Sequence, residues 1–425
     1  MRQIPSRLTK NREYMAEPIL DWILNGIPES VSVKLFDDVG FIYEAQLAKM
    51  ELSSWWHDPD EFRKRAAYYE EVNGQKTYHY YISDIKGKDQ IGRSNQYLTH
   101  WYYPYKAKFH PQMVKALINS MGLQRDQKLL DPFVGSGTAL IEAKLIGLDS
   151  VGIDIDPFCV FMSKVKTGLL DIHHEQLKVI DLHAAFNYFR MFKGKSSEVG
   201  LTKFVDASTT SKSPFLGMDE RIHDFYLLSY LYALSDYTYI KRDMRKGFQQ
   251  NISQIMKSIH TFNTLKKQLD LRMGKVDVRH GDARFLEKHG IQSGSIDGIV
   301  TSPPYSIAVD YIAMDLHTFK YLGIEPESLK DKLVGLKGKH EERVRIYFDD
   351  MALAFQSMFN VLKPKARCAV IIGDVTFEGK KLPIAQHFID IAEKIGFKLV
   401  NIIRRPILGG FARLRYEYMI LLQKP

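Results

Sequence analysis

Residues 296–305 read Ile296-Asp297-Gly298-Ile299-Val300-Thr301-Ser302-Pro303-Pro304-Tyr305. The apolar run Ile296–Val300, interrupted by Asp297-Gly298, has the length and composition of a buried strand. The five residues that follow then stand at its C-terminal end, the edge where open α/β sheets bind ligands. Consecutive prolines fix φ and remove two backbone donors. The turn is rigid and presents carbonyls, a hydroxyl and an aromatic ring, a set suited to gripping a planar group that carries an amine. A Pro-Pro pair after a strand is also an ordinary loop, so the pair alone decides nothing. Asp297 reads equally as a turn residue.

A second stretch lies far upstream: Leu129-Leu130-Asp131-Pro132-Phe133-Val134-Gly135-Ser136-Gly137-Thr138. Apolar residues lead into a glycine-rich turn, and Ala139–Ile146 reads as a helix. Glycines let a ligand approach the backbone closely. Another apolar run, Ser150–Asp154, ends in an acid about 20 residues after the glycines, the place from which a carboxylate holds ribose hydroxyls in dinucleotide-type folds. The turn has neither GxGxxG spacing nor Gly-Lys-Ser/Thr. A smaller adenosyl ligand therefore fits better than a dinucleotide or a nucleoside triphosphate.

Asp131–Thr138 together with Thr301–Tyr305 resembles the S-adenosylmethionine-dependent DNA amino-methyltransferases. The resemblance is closest to the cytosine-N4 branch, whose signature is Ser/Thr-Pro-Pro-Tyr; adenine-N6 members more often carry Asp-Pro-Pro-Tyr. It extends to Tyr105-Lys106-Ala107-Lys108-Phe109-His110-Pro111, Gly152-Ile153-Asp154, Gly281-Asp282-Ala283 and Tyr416–Lys424. It implies a doubly wound, mostly parallel sheet with an antiparallel C-terminal hairpin. It implies S-adenosylmethionine as cofactor and duplex DNA as substrate, with the target base flipped out. Ser302, Pro303, Pro304 and Tyr305 become the catalytic residues. Phe109, His110 and Pro111 would lie against the cofactor, with Asp131, Pro132, Phe133, Gly135, Gly137 and Thr138 around it. Asp154 would hold the ribose. Asp282, with Ala283, would meet the adenine amine, since a carboxylate only accepts. The cytosine-C5 mechanism is disfavoured, because neither Cys159 nor Cys368 follows a proline.

The chain has 425 residues, 45% of them hydrophobic, and a formal charge of +9. That length supports two or three domains. The basic excess suits a nucleic-acid partner or simply a solvated surface. Two distant cysteines form no metal-spaced cluster, so neither a metal nor a disulfide framework is expected, and a reducing prokaryotic cytoplasm fits. No apolar run is long enough for a membrane span, and Met1-Arg2-Gln3-Ile4-Pro5 lacks a signal-peptide core.

Residues 1–95 form an accessory region in this reading. Tyr14–Leu24 reads as helical, and Trp55, Trp56, Tyr68, Tyr69, Tyr78, Tyr80 and Tyr81 are interleaved with Arg63, Lys64, Arg65 and Lys76. That pattern is either a core with its rim or a base-stacking surface. Residues 96–169 form the cofactor-binding half, with a helix over Gln112–Ser120. Residues 170–275 are a helical insertion and a candidate for target recognition. It comprises helices Glu220–Ile240 and Phe248–Leu271, joined by the basic turn Lys241–Lys246. Residues 276–425 form the catalytic half. It contains a basic loop from Lys330 to Arg345, a helix Tyr347–Leu362, strands Cys368–Ile372, Leu399–Ile403 and Tyr416–Leu422, a helix Ala385–Ile395, and a second basic loop with Arg404, Arg405, Gly409, Gly410, Arg413 and Arg415. A cognate endonuclease acting separately would accompany a restriction–modification role. An RNA base methyltransferase and a non-catalytic nucleic-acid-binding module are the competing readings.

Overall fold

A computed structural model describes residues 21–87, 96–105, 108–178, 180–191, 213–305, 310–407 and 416–425. Near the N-terminus, β1 (Val33–Leu35), β2 (Tyr69–Val72) and β3 (Gln75–Lys76) form an antiparallel sheet. The main sheet contains β4 (Lys128–Asp131), β5 (Asp149–Asp154), β6 (Val276–His280), β7 (Ile296–Thr301) and β8 (Leu362–Gly373). A small hairpin of β9 (Val375–Phe377) and β10 (Lys380–Leu382) precedes its last strands, β11 (Lys398–Pro406) and β12 (Tyr416–Gln423). The order is β11-β12-β8-β7-β4-β5-β6. The strands from β4 to β8 pair in parallel, and β12 runs antiparallel to both β8 and β11. This is the doubly wound sheet with an antiparallel C-terminal pair. The chain moves outward from β4 to β6, then returns to lay β7 on the other side of β4. The crevice at such a reversal is where doubly wound sheets bind ligands.

Alternation along the strands gives the sheet two apolar faces. Ala369, Ile371, Met419 and Leu421 pack on one face, against Leu117 and Ala143 of the helices Pro111–Ser120 and Thr138–Leu145. Cys368, Val370, Ile372, Ile420 and Leu422 pack on the other, against Phe355 and Phe388 of the helices His340–Val361 and Ile384–Ile395.

The N-terminal aromatics are mainly core, shared with the first of these faces. Trp55, Phe62, Tyr68 and Tyr69 are buried in the same cluster as Leu117 and Met419. Arg65 is buried as well, 3.7 Å above the Trp55 ring and donating to the Leu123 carbonyl at 2.8 Å. Trp56, Tyr80 and Tyr81 remain exposed. Of the expected helix Tyr14–Leu24, only Asp21–Leu24 lies within the described residues, and these four are helical.

The insertion contains the helices Leu182–Met191, Glu220–Ile240 and Met244–Gln268, which share a core with Phe158 and Met162. Its second long helix starts four residues earlier than expected. Asp243 accepts from the Lys246 amide at 2.8 Å and caps the helix there, so the basic turn shrinks to Lys241–Asp243. The 330–345 loop shortens for a similar reason. Glu341 and Glu342 favour a helix N-terminus, and Arg343 and Arg345 fall inside helix His340–Val361. Several cations of that stretch are already engaged: Lys330 with Glu327, Lys337 with Asp350, Arg345 with Asp349. Arg404 and Arg405 are strand residues of β11, while Gly409, Gly410, Arg413 and Arg415 lie outside the described residues. Asp297 is no turn residue either. It sits buried within β7, and its carboxylate accepts from the Lys128 amide at 2.9 Å and from Lys363 at 2.6 Å. Among the described residues, no helix is long and apolar enough to cross a membrane.

Candidate active site

The ends of β4 and β7 lie side by side, and one hydrogen bond joins them. Thr301 Oγ1 donates to Asp131 Oδ1 at 2.7 Å, with both residues fully buried. The Phe133 amide donates to the same oxygen at 3.2 Å. Burial pushes the Asp131 carboxyl up to about 7. The two turns singled out in the sequence are thus fixed to each other beneath the cleft floor.

The glycine turn is built from backbone. Gly135 and Gly137 have φ of 48° and 78°, values that residues with a Cβ adopt only at a cost. A Cβ on Gly137 would also come within 3.0 Å of Ser163 Oγ, the hydroxyl that donates to the Gly135 carbonyl at 2.8 Å. Asp154, at the end of β5, accepts from the Gly135 amide at 2.8 Å and from the Asp156 amide at 3.0 Å. Asp156 in turn caps helix Pro157–Gly168 through the Phe158 amide at 2.8 Å. Desolvation and the neighbouring Asp154 charge push Asp156 up to about 8.

A cleft of about 920 Å³ opens above both turns. From the cofactor half, Phe109, Pro132, Phe133, Gly135, Thr138 and Asp154 line it. Asp282 and Ala283 close one side, and Ser302, Pro303, Pro304 and Tyr305 the other. Four expected residues do not line it. Asp131 and Gly137 lie beneath the turn and shape it from below. His110 occupies the N-cap of helix Pro111–Ser120, and Pro111 is its buried first residue.

Asp282 is held by Arg284, whose Nε lies 2.9 and 3.0 Å from its two oxygens and whose Nη2 lies 2.6 Å from one. Burial raises this carboxyl, but the Arg284 hydrogen bonds outweigh it and keep the group below its ordinary value. On the opposite wall, the Tyr305 amide donates to the Tyr311 phenol oxygen at 3.2 Å, and the Tyr347 hydroxyl donates to the Pro304 carbonyl at 3.3 Å. The Tyr305 hydroxyl donates to Glu417 Oε1 at 3.3 Å, and Arg405 holds the other Glu417 oxygen at 2.7 Å. Burial first, and then the Glu417 charge, raises the Tyr305 phenol well above its ordinary value. It remains a neutral donor.

Sequence reading missed several lining groups. Lys108 lines the cleft and donates to the His100 carbonyl at 2.9 Å, while desolvation lowers its ammonium to about 8. Asp156 had a signal, since Asp before Pro marks a helix start. Tyr311, Leu333 and Val334 carried none. Leu333 and Val334 come from the stretch read as a basic loop, which supplies apolar side chains here.

These residues fit S-adenosylmethionine. Two adjacent carboxylates, Asp154 and Asp156, raise each other's cost of ionisation, so a cationic guest is favoured beside them. Asp131 Oδ2 is buried without a hydrogen-bond partner at the floor of the turn. Asp282, kept ionised, suits an amine donor. When bound, the cofactor supplies an electrophilic methyl group on sulfur. Among the described residues, no group of three His, Cys, Asp or Glu could hold a metal ion.

Residues 101–219 match the family described as UPF0020, RMKL-like, methyltransferase domain. The type II methyltransferase M.BsoBI of Geobacillus stearothermophilus is 23% identical over 410 residues, covering 72% of this chain and 80% of that protein. M.MjaII of Methanocaldococcus jannaschii, also a type II methyltransferase, is 22% identical over 428 residues, covering 75% and 78%. A shorter likeness, 33% over 72 residues, reaches a tRNA (guanine(10)-N2)-dimethyltransferase of Methanothermobacter thermautotrophicus, covering 17% of this chain and 21% of that one. Long relatives of one kind, a matched methyltransferase domain, and two motif turns joined by Thr301 and Asp131 agree: the chain is an S-adenosylmethionine-dependent methyltransferase similar to type II DNA methyltransferases.

Proposed function

We propose that this protein methylates the exocyclic N4 amine of cytosine in duplex DNA, with the base flipped into the cleft, in a restriction–modification or orphan setting in the prokaryotic cytoplasm. The observation that carries this reading is the Ser302–Tyr305 turn, which lines the same cleft as the glycine turn and has serine where an acid would stand in most adenine-N6 relatives.

An exocyclic amine on a nucleobase is a poor nucleophile, because its lone pair is delocalised into the ring. Catalysis needs acceptors for both N–H groups, so that nitrogen pyramidalises and the lone pair points into the cleft. Ser302 Oγ and the Pro303 carbonyl are the proposed acceptors. The Pro304 carbonyl already receives the Tyr347 hydroxyl. Tyr305 stacks on the flipped base, a contact worth about 1–3 kcal/mol on comparable platforms. A neutral serine is the weaker acceptor, which suits the more acidic amine of cytosine. Asp154 is assigned to the ribose, Asp282 to the adenine amine, and Phe109 and Phe133 to the apolar walls. Alignment and preset dipoles then supply most of the rate. A cognate endonuclease would act on the same site as a separate protein.

The short likeness to a tRNA dimethyltransferase supports a second reading, an RNA base methyltransferase. The test is transfer of a radiolabelled methyl group to unmethylated duplex DNA and to bulk tRNA, with the product nucleoside identified by mass spectrometry. N4-methylcytosine in DNA is expected. N6-methyladenine would remove the base assignment made from Ser302, and label in tRNA alone would favour the second reading.

A further inference from the structure

A second cavity, of about 650 Å³, opens beside the catalytic cleft, and Tyr105 and Tyr311 line both. One wall is helix Tyr311–Leu322, through Met314 and Asp315. The other is the last turn of the insertion helix Glu220–Ile240, through Ser235, Asp236, Tyr239 and Ile240.

That last turn is unusual for a helix end. Tyr237, Tyr239 and Ile240 are 51%, 48% and 61% exposed, with the half-buried Thr238 between the first two. Large side chains with this much exposed apolar surface suit a partner surface. Tyr239 is also held in place: its ring meets His317 edge-on at 5.4 Å between centroids, and its hydroxyl donates to the Met314 carbonyl. Just beyond it the chain turns through Lys241 at φ 56°, followed by Arg242, Asp243, Arg245 and Lys246. Cations outnumber acids at this tip. The two acids lining the cavity are engaged, Asp236 by Arg242 at 2.8 Å and Asp315 by the Tyr103 hydroxyl at 2.7 Å. An exposed aromatic platform beside two carboxylates, one of them paired with Arg242, offers a stacking face to an unstacked base.

We propose that this cavity takes the nucleobase next to the methylated one on the same strand, so that the insertion tip reads one flanking position. The inference rests on the proposed methylation of DNA in the neighbouring cleft. The shared wall provides the continuity: the Tyr305 amide meets the Tyr311 hydroxyl, so target turn and second cavity are one ring apart. Enzymes that flip a base commonly draw sequence preference from the nucleotides on either side. Tyr239 and Ile240 would supply the stacking surface, and Asp236 and Asp315 the acceptors for the base edge.

The test is methylation of a duplex library randomised around the target base, with the full-length protein and its Tyr239→Ala, Ile240→Ala and Tyr239→Phe variants. Wild type is expected to show a preference at one flanking position. Both alanine variants should flatten it and raise KM for DNA about tenfold, with the dissociation constant for S-adenosylmethionine unchanged. Tyr239→Phe keeps the ring and should keep the preference. An unaltered flanking profile in both alanine variants overturns the proposal, as does a loss that only follows weakened cofactor binding. If the wild-type protein methylates no member of the library, the reading of the cleft falls and this inference falls with it. Methylation with unchanged preference removes this inference alone.

Discussion

The glycine turn after β4 and the Pro-Pro turn after β7 face the same cleft, yet they are held by different means. The first is almost wholly local. Asp131, the two left-handed glycines, Asp154 and Asp156 come from two adjacent strand–turn–helix units, and backbone amides make most of the contacts. The second is held from a distance. Tyr305 depends on Glu417 and Arg405 of the last strand pair, Pro304 on Tyr347, and the adjoining wall on Tyr311. A surface that binds an invariant cofactor can be written into a short stretch of backbone. A surface that, in the proposed function, holds the target base draws on elements far apart in the chain.

Ser302→Ala is the sharpest test of this difference. Loss of one positioned acceptor should lower turnover by about 10²–10³, measured as single-turnover methyl transfer, while calorimetry shows cofactor binding intact. Full activity in that variant would remove Ser302 from the mechanism and leave the Pro-Pro turn a structural loop.

Asp131→Asn tests the joint between the halves. The Asp131 carboxyl is raised from 3.8 to about 7, so it keeps its proton in the folded protein where the unfolded chain releases it. The stability this contributes is complete below pH 3.8 and is lost as pH rises towards 7. It is on the order of a few kcal/mol. Asparagine retains an acceptor for Thr301 and does not titrate. The difference in melting temperature between variant and wild type should therefore grow in favour of the variant across that window. A difference that does not vary with pH would refute the protonated buried carboxyl.

Asp154→Ala should act on the cofactor half alone. It frees the amides of Gly135 and Asp156 and removes the proposed ribose acceptor. The affinity for S-adenosylmethionine should fall about tenfold, or roughly 1.4 kcal/mol, with the DNA product unchanged. An unaltered dissociation constant by calorimetry would refute the ribose role.

Legibility in the sequence followed the same division. Asp131–Thr138 and Ile296–Tyr305 announce themselves because glycine, proline and strand-end acids act through neighbours in the chain, and the parallel sheet follows from apolar runs alternating with helices. Charge patterns left two readings open, and tertiary partners decide between them. Arg65 among aromatics is a buried core cation that donates to the Leu123 carbonyl, and Lys337, from the stretch read as a basic loop, is tied to Asp350. His110 and Pro111 belonged to a recognisable segment, but they form the start of a helix, and it is Phe109 and Lys108 that line the cleft.

What the amino-acid sequence determined unaided is the chemistry carried by contiguous residues: the glycine turn, the rigid Ser-Pro-Pro-Tyr turn, and the strands that end in them. Only the tertiary structure decided that Thr301 clasps Asp131 across two strands, that Glu417 braces Tyr305 from 112 residues away, and that the insertion helix ends beside the cleft. Backbone conformation is governed by nearest neighbours and is readable locally. The pairing of side chains across a sheet depends on strand order, which no single segment encodes.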